Sequence, residues 1–122
     1  MPEMTLEYTL KENGIDVEHG VELLGDMEMY DETLGDFLDE SETRLPNLEQ
    51  YKNSGDMANY AILAHSMKSD SKYLGFTKLA ELSFEHEMKS KENNIEYINE
   101  NYGVLINEAN RIIEIVKNYL GR

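Results

Sequence analysis

Residues 95–120 read IEYINENYGVLINEANRIIEIVKNYL, and within them Ile98, Tyr102, Leu105, Ala109, Ile112, Val116 and Tyr119 recur at steps of 4, 3, 4, 3, 4 and 3. An α-helix turns once in about 3.6 residues, so these seven side chains line one stripe. A long helix that buries this stripe against other helices follows. Asn94 stands where an N-cap is needed, since its side-chain oxygen can accept from an early amide that has no carbonyl partner.

The same rhythm runs back through the chain. Tyr30, Leu34, Phe37, Ser41, Leu45 and Leu48 predict a second long helix, capped by Asp26 and interrupted in pattern by Pro46, which removes one backbone donor. Ser54-Gly55-Asp56 reads as a turn, with Asp56 capping a third helix from Met57 to about Tyr73. Leu74-Gly75-Phe76 is a short break before a fourth helix over about 76–91, with Leu79, Leu82, Ser83 and His86 inward. A short opening helix over about 16–24, carrying Val17, Val21 and Leu24, would cap one end. Residues 1–13 lack clear periodicity and read as a loosely attached lead-in, leaving 14–122 as the domain. The fold class expected is all-α, an antiparallel four-helix bundle with a short N-terminal capping helix.

Composition narrows the function. The chain has 122 residues, 25 acidic and 11 basic side chains, a formal net charge of −14 and no cysteine. That excludes a disulfide framework, a thiolate zinc site and a cysteine nucleophile. So strong an acidic balance argues against binding nucleic acid or an anionic membrane surface. No apolar run is long enough to span a membrane. Met1-Pro2-Glu3-Met4 is acidic and lacks a hydrophobic stretch, so no signal peptide is read and the cytoplasm is the expected compartment.

Against this background one helix face stands apart. In the third helix Met57, Ala61, Ala64, Met67, Ser71 and Leu74 form the inward stripe. His65 lies about 100° from Ala64, on a flank that can reach solvent, and Lys68, Ser69 and Lys72 fall within about 60° of it. Ile62 and Ala58 lie on the same face, one and two turns earlier. Between 65 and 78 three lysines (Lys68, Lys72, Lys78) meet one acid, Asp70. A small basic, partly apolar island on an acidic protein suggests a docking surface for an acidic partner. A neutral imidazole is a good nucleophile near pH 7, and phosphoryl transfer asks mainly for alignment and charge compensation.

The run His65-Ser66-Met67-Lys68-Ser69-Asp70-Ser71-Lys72-Tyr73-Leu74-Gly75 resembles the signature of the histidine-containing phosphotransfer (HPt) domain: His-x-Leu-Lys-Gly, small residues, then Leu-Gly. The likeness extends to Gly14-Ile15-Asp16-Val17-Glu18-His19-Gly20, to Tyr30, Leu34 and Phe37, and to Leu79-Ala80-Glu81-Leu82-Ser83 followed by Glu87. It covers about residues 14–120. The resemblance implies that His65 is phosphorylated, that Lys68 compensates the phosphoryl charge and that Glu87 orients the imidazole. Register allows the last role. The helices on either side of residue 75 fold back, so positions whose numbers sum to about 150 share a level, and 65 and 87 sum to 152.

The resemblance further implies a phosphorelay intermediate rather than an autonomous kinase. It would accept phosphate from a receiver-domain aspartate and pass it to another receiver. Partners would be receiver domains and a hybrid histidine kinase, docking through Ala58, Ile62, Ser69 and Lys72. No cofactor would be bound by this chain, since magnesium belongs to the receiver, and a monomer is expected. Ser69 departs from the family's glycine, which lets a partner backbone approach, and Asp70 replaces a small residue but lies about 140° from His65.

Rival chemistries fit less well. No His-Glu-x-x-His motif or calcium loop occurs, and Asp16-Val17-Glu18-His19 and Ser83-Phe84-Glu85-His86 both lack the glutamate of a di-iron Glu-x-x-His pair. No metal site is expected. His19 reads as plain surface. His86 reads as a histidine at the core edge bonded to a neighbour, with tuning of His65 as the sharper reading. The alternative function is a non-phosphorylated helical module that binds a receiver or kinase.

Overall fold

The computed structural model describes residues 8–122. Its helices are α1 Val17–Leu24, α2 Met27–Ser54, α3 Met57–Leu74, α4 Thr77–Lys91 and α5 Ile95–Leu120. Residues 8–12 are helical as well, and an isolated bridge joins Ile15 to Phe76. No strand occurs among the described residues.

Local sequence sets these boundaries. Asp16, Asp26, Asp56 and Asn94 each accept a hydrogen bond from the amide three residues on, at 2.8–3.2 Å, which satisfies one of the unpaired donors of the first turn. Gly55, Gly75 and Gly121 end α2, α3 and α5 in the left-handed conformation. Pro46 lies inside α2, which continues through it to Ser54.

α2 packs on α3, α3 on α4, α4 on α5 and α5 on α2, while α1 lies across α2 and α3. The short connections make consecutive long helices antiparallel, so the bundle and its capping helix are as the sequence predicts. The α5 stripe supplies Ile98, Leu105, Ala109, Ile112 and Val116 to the core, with Tyr102 and Tyr119 at its edge. Burying an aliphatic side chain of this size contributes about 1.5–3 kcal/mol.

Leu10, Tyr60 and Arg44 are among the buried residues that escape the periodic reading. Leu10 is fully buried in the core and Asn13 accepts from Arg111 through its carbonyl at 3.1 Å. Residues 8–13 are therefore docked on the bundle, which corrects the expectation of a loose lead-in; residues 1–7 of that segment lie outside the described residues. Tyr60 is fully buried on α3. Arg44 is buried on α2, where Nη1 donates to Ser66 Oγ and to Asp70 Oδ2, both at 2.9 Å. That pair ties α2 to the turns of α3 that flank His65.

α1 is clasped to the α3–α4 turn. The Asp16 amide donates to the Gly75 carbonyl at 2.9 Å, and the hydroxyl of buried Tyr30 donates to the Leu74 carbonyl at 2.7 Å. The helix before the turn and the helix after it are thus held against one end cap, with His65 on the first and Glu87 on the second.

Candidate functional site

His65 lies mid-way along α3 with its side chain 58% exposed, and Glu87 faces it from α4 with only 3% exposure. The two meet at 2.9 Å, between Nδ1 and Glu87 Oε2. The register argument thus brings together the right pair, and Glu87 is not an ordinary solvated acid. Burial opposes ionisation of its carboxyl. Hydrogen bonds from Lys68, Lys91 and His65 outweigh that and hold its pKa at about 2.

An ionised carboxylate only accepts, so Nδ1 carries the proton. In the neutral ring the lone pair then belongs to Nε2, on the opposite edge and toward the open side of the site. Lys68 reaches from one turn along α3. Its ammonium is 2.8 Å from Glu87 Oε1, its side chain is 15% exposed, and Nζ lies 5.3 Å from the centre of the Phe84 ring. Lys91 on α4 reaches Glu87 Oε2 at 2.8 Å. One buried carboxylate therefore gathers an imidazole and two ammonium groups from two helices.

The surroundings match the sequence face in part. Ala58, Ile62 and Lys72 are exposed and Ser69 is half-buried. A groove of about 420 Å³ runs past His65, lined by Lys68, Ser69, Lys72 and Tyr73 from α3 and by His19 and Leu23 from α1. His19 thus borders the site rather than standing as unrelated surface. Asp70 turns away from His65 to Arg44. Phe84 and Met88, both exposed on α4, add apolar surface that the face of α3 alone does not show. The spacing 84, 88, 91 beside Glu87 carried the signal for that second wall.

His86 points into the bundle. It is 1% exposed, its Nδ1 is 2.8 Å from the Tyr60 hydroxyl, and its ring packs against Tyr60 and Tyr97. Burial pushes its pKa down, against the opposing pull of the Asn101 backbone and Glu85. Its contacts are with core tyrosines, as the reading of a bonded core histidine has it. Among the described residues no cluster of three or more metal-ligating side chains occurs, and no helix is long and apolar enough to cross a membrane.

The state of Glu87 has a consequence for acid stability. Its folded-state pKa lies below the ordinary 4.5. Its contribution is therefore present above about 4.5 and is lost as the pH falls toward about 2. Thermal melts over that window should show Glu87→Gln losing less stability with falling pH than the wild type. Parallel pH dependences for the two proteins would contradict the assignment.

Comparison with curated proteins and with solved structures returns no match. A family model described as the Hpt domain matches residues 32–115. That span exceeds half of the 122 residues and contains the paired histidine and glutamate, both lysines and the turn between α3 and α4. The chain belongs to the Hpt domain family.

Proposed function

We propose that this chain is a phosphorelay intermediate, in which His65 Nε2 accepts a phosphoryl group from a receiver-domain aspartate and passes it to a second receiver. Hpt domains are phosphocarriers of two-component signalling; the specific relay role and the roles of the residues are the proposal. The observation that supports it best is the bond from His65 Nδ1 to the buried Glu87 carboxylate at 2.9 Å. It fixes the proton on the inner nitrogen and leaves the outer one as the nucleophile. Lys68 then supplies positive charge for the phosphoryl oxygens. The chain needs no nucleotide of its own, because the acyl phosphate arrives activated, with its magnesium on the receiver.

Receivers would dock on Ala58, Ile62, Ser69 and Lys72, with a hybrid histidine kinase as the upstream source of phosphate. The complementarity is of charge as well as shape. A receiver's phosphorylation site is acidic, and the face around His65 is the basic island of a chain whose net charge is −14. Ser69 adds a side chain at the point of closest approach. It either narrows the range of receivers or donates to the phosphoryl group. In this reading the chain works as a cytoplasmic monomer.

The test mixes the chain with receivers carrying labelled phosphate in the presence of magnesium. The expected result is label on this chain that is acid-labile and base-stable and that maps to His65. No label from any receiver in a broad panel, with binding still detectable, would favour the interaction module instead.

A further inference from the structure

We propose that Lys91 is a positioning residue for phosphoryl transfer, holding the Glu87 carboxylate so that Lys68 is free to turn to the phosphoryl group. This rests on the phosphocarrier reading of His65. The starting point is that Lys68 is already engaged. Its ammonium sits 2.8 Å from Glu87 Oε1, and Glu87 is buried. If Lys68 were the only cation there, moving it to the phosphoryl oxygens would strip a buried carboxylate of its counter-charge, which is costly. Lys91 removes that cost. It binds the other oxygen, Oε2, at 2.8 Å from one turn along α4.

The charge balance points the same way. In transfer the Nε2–P bond forms and the bond from phosphorus to the donor's aspartyl oxygen breaks, the electron pair leaving with that carboxylate. The Nδ1 proton stays where it is. The PO₃ unit therefore arrives with one net negative charge, divided between a dianionic phosphoryl group and a positive ring. Glu87 against Lys68 and Lys91 leaves one surplus positive charge before transfer and neutrality after it. Without Lys91 the same site would begin neutral and end negative, in a protein that is already strongly acidic. Lys91 is 58% exposed, so it serves at the rim, where a charge can be supplied without a large desolvation cost.

The experiment measures the rate and extent of phosphoryl acceptance from one phosphorylated receiver. It compares the wild type with Lys91→Met, Lys91→Arg, Lys68→Met, the Lys68→Met/Lys91→Met double variant and Lys89→Met. Lys89 lies on the same helix, over the Tyr97 ring and beside Glu92, and its loss makes the same change in net charge away from the site. Lys91→Met is expected to lower acceptance on the order of tenfold, with Lys91→Arg and Lys89→Met at the wild-type level. In the Lys68→Met background the Lys91 substitution should cost clearly less than in the wild type, because the part of its effect that comes from releasing Lys68 is gone and only its charge beside Glu87 remains. Fully additive losses in the double variant would overturn the proposal, since a structural or charge effect that does not run through Lys68 would add in full. A labelled wild type with Lys91→Met equal to it overturns the Lys91 role alone. A wild type that takes no label overturns the phosphocarrier reading and this inference with it.

Discussion

Replacing His65 by glutamine is expected to abolish phosphoryl acceptance while leaving the fold and the docking of receivers in place. The nucleophile in the proposed reaction is a ring nitrogen with a lone pair. An amide has none of comparable nucleophilicity, and the groups closest to the imidazole are engaged elsewhere. Lys68 and Lys91 are held as ammonium groups on Glu87, and His86 is sealed in the core against Tyr60. Label on the variant should therefore fall by at least about a thousandfold, as it does when a covalent nucleophile is removed.

The structural cost should be small. The imidazole is 58% exposed and makes one bond, to Glu87, which the glutamine amide can replace. A change of stability within about 1 kcal/mol follows. Calorimetric titration with an unphosphorylated receiver should give the wild-type affinity. This combination separates a phosphocarrier from a binding module, which would bind equally with either residue and take label with neither. Wild-type labelling of the glutamine variant would move the chemistry to another side chain, with His19, which shares the groove, the first to test.

The parts of this site that were legible in the sequence are those that one helix decides by itself. The steps of three and four in α5, the aspartate and asparagine caps, and the i, i+3 placement of His65 and Lys68 are local facts, fixed by the pitch of a helix. Glu87 could be reached as well, because a hairpin of two helices with a known turn has a single register. What local pattern could not show is where charge goes inward. Glu87 and Arg44 are buried because each finds its counter-charge on a neighbouring helix, and an acidic or basic residue read alone is assigned to solvent. Lys91 is the last residue of α4, and its proposed role depends on the side chain one turn before it being buried. Leu10 was missed for a different reason. A helical stretch as short as residues 8–12 has too few turns to display a period.

The largest effect on stability is expected at Gly75. There φ is +82°, and a β-carbon would fall on the carbonyl oxygen of Asp16 and within 2.7 Å of its carbonyl carbon. Two costs therefore combine in Gly75→Ala. An L-residue in the left-handed region costs roughly 1–2 kcal/mol, and forcing an atom into an occupied position costs typically about 1–3 kcal/mol more. The obstruction is backbone, not the end of a side chain, so it yields only if the clasp between α1 and the α3–α4 turn opens. That clasp is the Asp16–Gly75 hydrogen bond at 2.9 Å.

Gly55 isolates the first cost. Its φ is +73°, but the nearest atom to an added β-carbon is Ile95 Cδ1 at 3.9 Å, an ordinary contact. Gly55→Ala should thus lose only the dihedral part, roughly 1–2 kcal/mol, and Gly75→Ala about 2–5 kcal/mol in all. For a domain of this size the latter corresponds to a fall in Tm on the order of 10–20 °C. Denaturant melts of the two variants, side by side with the wild type, measure the difference directly. Equal losses would mean that α1 moves aside at no cost and that the clasp contributes little. A larger loss at Gly75 would show that the end cap is part of what holds α3 and α4 in register, and so part of what keeps His65 opposite Glu87.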